Sequence, residues 1–428
     1  MLDIKFIREN PELIKEGCRK KQIKIDIDQL LEMDKKRKEL MLALEDARAQ
    51  KNKANEEINK FVSGEIKQLH EKGKKEVIIL KMRELDKNND RIEAEFKELD
   101  GEFQGLMGLI PNPPAPDVEE GKDDTENKVI KKWGKLPEFD FEPKSHFELG
   151  ESLDIIDTKR AGKVSGSRFG YLKNGMAKLE LAMINFAVDF LSEQGFIPVI
   201  PPVMISLDSM KGMGYLEHGG EENMYILDKD NLVLVGTSEQ SIGPMHKDET
   251  FEEKDLPKRY IGISTCFRRE AGSYGKDTKG ILRVHQFNKV EMFSFTKPED
   301  SDKEHEYLLS LEEKLMQALE LPYQVVKMCS GDLGMPAARK YDIEVWLPSE
   351  NRYRETHSTS TCTDFQARRL NIRFKRKDGK SEFVHMLNGT AFSERPILAI
   401  LENYQQKDGS VLIPKVLQKY TGFEKIEK

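Results

Sequence analysis

Between Thr265 and Phe295 the chain reads TCFRREAGSYGKDTKGILRVHQFNKVEMFSF, two alternating runs flanking a loop rich in glycine and charge. Period-two alternation puts Arg268 and Glu270 on one face of the first run, and Phe287, Lys289 and Glu291 on one face of the second. If the runs pair, a guanidinium, an aromatic ring and carboxylates converge on one sheet surface. Those are the parts that hold a nucleotide: a fork for phosphate oxygens, a flat ring for the base, and carboxylates for polar or metal contacts. A surface hairpin with incidental charges would carry the same residues, so the stretch by itself decides nothing.

What is missing narrows the chemistry. No G-x-x-x-x-G-K-[ST] occurs and no G-x-G-x-x-G follows a strand, so neither a P-loop nor a dinucleotide fold is expected. Cys18, Cys266, Cys329 and Cys362 are scattered without a C-x-x-C pair, which predicts a reducing compartment, no disulfide framework and no zinc site. The net charge of −7 argues against non-specific coating of nucleic acid, though a local basic patch suffices to engage phosphates. No run of apolar residues is long enough for a membrane span, and the N-terminus mixes charges throughout; a cytosolic protein without leader or anchor is expected.

Charged residues are 34 % of the 428 and apolar ones 38 %, enough for a sizeable core and too long a chain for one ordinary domain. From about Trp133 onward, short β runs mix with helices. GMAKLELAMINFAVDFLSEQG has helical spacing with Gly195 as its stop. NMYILD, NLVLVGT, RYIGISTCF, RVHQFNKVEMFSF, KYDIEVWLP and EFVHMLNG read as strands joined mostly by turns. This predicts an α+β fold, an antiparallel β-sheet flanked by helices.

The first hundred residues differ. One heptad register runs through Leu30, Met33, Arg37, Leu40, Leu44, Ala47, Lys51, Ala54, Ile58 and Phe61; a second through Ile78, Met82, Leu85, Asn89, Ile92, Phe96, Leu99, Phe103, Leu106 and Ile110. Two long helices are predicted, paired as an antiparallel coiled-coil arm, with reversal at Ser63-Gly64 and Gly73. Lys51, Lys53, Lys60, Lys67, Lys72, Lys74 and Lys75 cluster at its tip, as a solvated face or as a phosphate-tracking surface. PNPPAPD ends the second helix, and VEEGKDDTENK reads as an exposed linker.

With these residues in view, FRREAGS…RVHQFNKVE resembles motif 2 of the class II aminoacyl-tRNA synthetases, in the form found in seryl-tRNA synthetases. GFIPVIPPVM resembles motif 1, whose proline-ended strand forms the dimer interface in that family, and LNGTAFSERPILAILENYQ resembles motif 3. GTSEQ is similar to the serine-recognition T-x-E, and ETHSTSTCTDFQARR to the ATP and metal segment. Singly, each has a plain structural reading: Pro201-Pro202 as a strand end, Thr237 to Glu239 as a helix cap. Together and in order they span essentially the whole chain.

The resemblance implies a tRNA-binding domain with the helical arm over 1–112, a linker over 113–132 and a class II catalytic domain over 133–428. It implies ATP bound by Arg268, Arg269, Glu270, Val284, Phe287, Glu355, Thr356, His357, Ser358 and Arg395, with Arg268 and Arg395 catalytic. Serine falls to Thr237, Ser238, Glu239, Arg268, Glu291 and Thr390, and Mg²⁺ to Glu355 and Ser358. The implied partners are L-serine, tRNA(Ser), tRNA(Sec) as a second candidate, and a second copy of the chain as a homodimer. Two segments depart from the commoner family pattern: NGTAFSERP stands in motif 3, and THSTSTCT follows Glu355. Rival readings are an idle tRNA-binding paralogue, an amino acid:carrier-protein ligase and a structural coiled coil. The first would lack Arg268, Glu291, Glu355 or Arg395, the second would lack the arm, and the third would lack the catalytic motifs.

Overall fold

The computed structural model describes residues 2–62, 72–271 and 280–428. The chain divides into two compact units, one of Ile4–Lys15 and Lys24–Ile110, the other of Met1–Asp3, Glu16–Ile23 and Pro111–Lys428. Among the described residues no helix is long and apolar enough to cross a membrane.

The first unit is dominated by α1 (Ile27–Val62) and α2 (Lys72–Leu109). Ion pairs Arg37–Asp100, Arg48–Glu93 and Lys51–Asp86 rise along α1 as they descend α2, so the helices are antiparallel. Leu30, Leu44, Ala47 and Ala54 of α1 and Ile92, Phe103 and Ile110 at the other limb are buried, as the heptad registers predict. The two cations that interrupt the seam are both answered. Lys51 lies 2.7 Å from Asp86. Arg37 pairs with Asp100 and covers the rings of Phe96 and Phe103 at 5.7 and 5.1 Å. Of the expected reversal, Ser63-Gly64 lies outside the described residues, and Gly73 belongs to the first turn of α2, where a helix-weakening residue matters least. Lys53 is exposed; the side chains of Lys60, Lys67, Lys72, Lys74 and Lys75, with those of Ile58, Phe61 and Ile78, lie outside the described ones.

The second unit is built on an eight-stranded sheet. Its strands are β1 (Lys128–Trp133), β2 (Ile197–Val199), β3 (Lys258–Phe267), β4 (Gln286–Thr296), β5 (Tyr323–Lys327), β6 (Arg339–Leu347), β7 (Arg352–Thr361) and β8 (His385–Phe392). They lie in the order β1-β5-β6-β7-β8-β4-β3-β2, and every pair is antiparallel except β2 with β3. The helices that matter for the cleft are α3 (Asn174–Glu193), α4 (Glu239–Ile242), α5 (Ser301–Ala318) and α6 (Glu394–Asn403). Met176, Leu179, Met183 and Phe186 of α3 and Leu308, Leu311 and Leu315 of α5 join Val290 and Met292 of β4 in one core. One parity of β4 is thereby committed to that core, which leaves Phe287, Lys289 and Glu291 for the other face.

Some elements differ from the sequence expectation. NMYILD and NLVLVGT pair outside the main sheet, in a small sheet with Met204–Ser206. EFVHMLNG splits into Ser381–Phe383 and β8. The expected linker over 113–132 contains a short 3-10 turn at Asp124–Glu126 and runs into β1. Asn127 donates to Asp332 at 2.7 Å and accepts from the Cys329 N–H at 2.9 Å, and β1 then pairs with β5 as the sheet's outer edge. Five of the six residues of this edge strand are exposed, so its composition reads like a linker. At the opposite edge Ile197, Ile200 and Met204 are half-exposed or more, an apolar patch on the GFIPVIPPVM segment.

Candidate active site

A cleft of about 560 Å³ opens on the sheet face away from α3 and α5. It is lined from β4 by Phe287, Lys289 and Glu291, from β6 by Lys340, from β7 by Glu355 and Ser358, and from β8 by Asn388 and Thr390, with Arg268 and Arg395 beside them. Two irregularities in strand pairing bring these residues to one surface. In β8, Thr390 opposes Glu291 while Phe392 opposes Val290, so Ala391 is the extra residue of a bulge. In β7, Glu355 opposes Glu344 and His357 opposes Ile343, so Thr356 is extra. Without that bulge Glu355 and Ser358, three positions apart, would face opposite sides of the sheet; with it both face the cleft.

At one end the guanidinium groups gather. Arg268 follows β3, its N–H donating to the His285 carbonyl at 3.0 Å, its Nε to the Gly236 carbonyl at 3.1 Å, and its guanidinium lies 5.2 Å from the Phe287 ring centre. Arg395, in the first turn of α6, donates to the backbone oxygen and to Oε2 of Glu355, each at 3.0 Å. Loss of water around Glu355 would favour its neutral acid, but Arg395 and then Lys340 hold it down at about 2. Cations this close together on a sheet face present a ready seat for a polyanion.

At the other end carboxyl groups gather. Glu291 is 1 % exposed and lies 2.7 Å from Lys289, whose ammonium also reaches Thr237 Oγ1 at 3.3 Å. Burial raises Glu291 to about 7 and raises Glu239 too, with Lys289 opposing in both cases. Glu239 opens α4 and accepts a hydrogen bond from the Tyr215 hydroxyl. Thr390 donates to the Ser358 carbonyl at 3.4 Å. Such a pocket offers acceptors to an ammonium and a hydroxyl.

Of the residues singled out from sequence, Thr237, Glu239, Arg268, Glu270, Val284, Phe287, Glu291, Glu355, Thr356, Ser358, Thr390 and Arg395 line this one cleft. Glu270 reaches it by a different route than expected. Its φ of +53° ends the extended backbone, so strand parity with Arg268 does not apply, and its carboxylate is paired with Arg283. Three residues turn elsewhere. Ser238 is fully buried and donates to the Gly262 carbonyl at 3.2 Å. His357 is buried on the core side, between Thr356 Oγ1 at 2.8 Å and the Ala391 carbonyl at 2.9 Å, and burial lowers it to about 4, a neutral ring. Arg269 is exposed, its guanidinium 5.1 Å from the Tyr225 ring. Thr356 lines the cleft as the bulged residue, but its hydroxyl donates to the Ile343 carbonyl at 3.1 Å. The plain cap reading of Thr237 to Glu239 also fails in part: Ser238 is the N-cap of α4 but makes no side-chain capping bond.

Lys340, Arg283 and Tyr215 line the cleft and Asp342 lies beside it, and none of them was singled out. Lys340 and Asp342 alternate on KYDIEV, so period two could have paired them; Tyr215 sits in an irregular loop where no period helps. The Ser358 position opposes Asp342, and burial raises Asp342 to about 7 against the pull of Lys340. Glu355 and Ser358, with Asp342 beside them, are hard oxygen donors that fit Mg²⁺, which keeps waters and substrate phosphates in its shell. Among the described residues no three acidic, histidine or cysteine side chains gather to hold a metal unaided.

The sequence matches the family described as tRNA synthetase class II core domain (G, H, P, S and T) over residues 224–404, and that described as Seryl-tRNA synthetase N-terminal domain over residues 1–114. It is 46 % identical over 430 residues to a serine–tRNA ligase of Dictyoglomus turgidum, covering 100 % of this chain and 99 % of that one. To a serine–tRNA ligase of Thermodesulfovibrio yellowstonii it is 44 % identical, with both chains fully covered. Among solved structures, seryl-tRNA synthetase from Pyrococcus horikoshii complexed with ATP superposes with a TM-score of 0.89 at 42 % identity, over 100 % of this chain and 99 % of that one. A cytoplasmic serine–tRNA ligase from Naegleria fowleri in complex with AMP gives 0.85 at 30 % identity, over 100 % of this chain and 99 % of that one.

Proposed function

The chain belongs to the seryl-tRNA synthetase family, with its class II sheet and N-terminal helical arm, and from that premise we propose that it is a serine–tRNA ligase using ATP. The observation that carries the reading is the cleft itself. Arg268, Arg395 and Lys340 gather at one end, while Thr237, Glu239, Glu291 and Thr390 gather at the other.

Serine's carboxylate attacks the α-phosphorus of ATP, the bond to the bridging oxygen breaks, and pyrophosphate leaves with seryl-adenylate behind. The nucleophile is already ionised at neutral pH, so no base is needed; alignment of two anions and dispersal of phosphate charge are the task. Arg268 meets the α-phosphate and the serine carboxylate, Arg395 the γ-phosphate, and Phe287 stacks on adenine with Glu270 near its amino group. The existing contacts favour these roles, because Arg268 already lies against Phe287 and Arg395 is held by a carboxylate that a phosphate can replace. Glu355 and Ser358 would hold Mg²⁺, which would supply neutralisation of phosphate charge. Thr237, Glu239, Glu291 and Thr390 read the ammonium and hydroxyl of serine. Alanine is rejected because it leaves those buried groups unpaired. In the second step a ribose hydroxyl of tRNA attacks the carbonyl carbon and AMP leaves.

Residues 1–112 form the tRNA-binding part, 113–132 the connection to the catalytic part, and 133–428 the catalytic part. The arm tracks the RNA backbone of tRNA(Ser), with tRNA(Sec) a second substrate, by shape and phosphate contacts. The enzyme works in the cytoplasm as a homodimer, the arm of one subunit serving the cleft of the other. The exposed Ile197, Ile200 and Met204 favour a dimer contact at the β2 edge. The test is exchange of labelled pyrophosphate into ATP: serine drives it, whereas threonine, alanine and glycine do not. Exchange that ignores serine would sink the proposal.

A further inference from the structure

Tyr215 has no part in the chemistry assigned above, yet it stands in the wall of the same cleft. Its loop is tightly built. Gly214, His218 and Gly219 take left-handed φ values of +81°, +54° and +81°. A Cβ on Gly220 would lie 1.8 Å from the Tyr215 carbonyl oxygen, so only glycine can close this turn. Arg369 fastens the loop, donating to the Lys211 carbonyl at 2.9 Å and to Glu217 at 2.7 Å. The Tyr215 ring packs against two apolar clusters, one containing Met213 and Ile242, the other Met210 and Val233. The phenol is therefore held on a rigid platform, and its hydroxyl donates to Oε1 of Glu239, a residue 4 % exposed.

We propose that Tyr215 is a positioning residue for amino acid recognition, whose hydroxyl holds one oxygen of Glu239 so that the other is presented to bound serine. The inference rests on the serine reading above and extends it to a residue outside the motifs. A buried carboxyl group with one oxygen pinned has lost the freedom to rotate away from its ligand, and the donated O–H favours its ionised form. Lys289 and Arg268 also face Glu239 as cations, Glu291 as a second acid and the Cys362 thiol as a weak one. Burial pushes Glu239 toward its neutral form, Lys289 and the phenol pull it back, and losing the hydroxyl leaves it easier to protonate.

The full-length protein, its Tyr215→Phe variant, its Glu239→Gln variant and the double variant are compared by serine-dependent pyrophosphate exchange between about pH 5 and pH 9. Tyr215→Phe keeps the ring and its packing, so the fold is retained. The expected result is a serine KM raised about tenfold with kcat changed much less. The acid limb of kcat/KM, to which Glu291 also contributes, moves up by about half a pH unit or more in Tyr215→Phe, and Tyr215→Phe no longer moves it when Glu239→Gln is already present. An acid limb and KM unmoved by Tyr215→Phe would overturn the assignment, and a lowered unfolding temperature with an unmoved limb would reduce Tyr215 to a packing residue. Absence of serine-dependent exchange in the unsubstituted protein is a separate failure, of the functional reading itself.

Discussion

Polar residues meet different fates in the two units. In the helical pair, Arg37 and Lys51 interrupt an apolar seam, and each faces an aspartate from the opposite helix. Around the cleft, Glu239 and Glu291 both lean on Lys289 and Asp342 leans on Lys340, while on the other side of the sheet Glu312 of α5 lies fully buried beneath Gly389. Burial pushes Glu312 well above its ordinary range, toward its neutral form. Charge in the arm is balanced within the protein and sets register. Charge in the cleft includes two buried acids that share one lysine, an arrangement that costs stability.

Removing residues 30–110 tests that division most severely. Charging of tRNA is expected to vanish while serine-dependent exchange persists; loss of both together would mean that the arm also shapes the cleft. Arg268→Ala comes next, with exchange slowed about a thousandfold and the unfolding temperature hardly moved, since a preorganised donor to a developing phosphate charge is lost. A large fall in stability would show that Arg268 belongs to the fold more than to the chemistry.

Glu291→Gln probes the stored strain. Its carboxyl sits at about 7 in the fold against an ordinary 4.5, raised by burial. The unfolded chain gives up this proton at lower pH than the fold does, so stability falls as pH rises from the ordinary value through the folded one. The group withdraws about 2 to 3 kcal/mol from the protein between about pH 5 and pH 8, and the glutamine variant is expected to lack that decline. Denaturant titrations at the two pH values measure it; parallel declines would show Glu291 to be ionised at no disadvantage. The smallest effect is expected in the arm. Lys51 and Asp86 are both well exposed, so replacing both with alanine is expected to shift melting by no more than about two degrees. A larger shift would mean that the pair does more than hold register.

Much of the arm was legible because helical packing is local. The 3-4 spacing of Leu30, Leu44, Ala47 and Ala54 faces the partner whatever the rest of the chain does. The sheet was legible as a class and as a list of strands, and the residues of motifs 2 and 3 were legible as a set. Edges and breaks were not. Lys128 to Lys132 looked like linker because the strand they form is exposed along its length, and Glu270 looked like strand because alternation gives no warning of a left-handed residue.

The sequence by itself determined which groups are available for the proposed chemistry: the guanidiniums of Arg268 and Arg395, the ring of Phe287, the carboxylates of Glu291 and Glu355. Tertiary structure decided which of their neighbours join them. Parity alone would send Glu355 and Ser358 to opposite faces; the bulge at Thr356, a matter of pairing with β6, brings them together and turns His357 into the core. Ser238 and Tyr215 part ways for a similar reason, one drawn to the Gly262 carbonyl and the other to the Glu239 carboxylate. Periodicity is carried by adjacent residues, whereas register, bulges and loop closure depend on partners far along the chain, and a linear string does not display them.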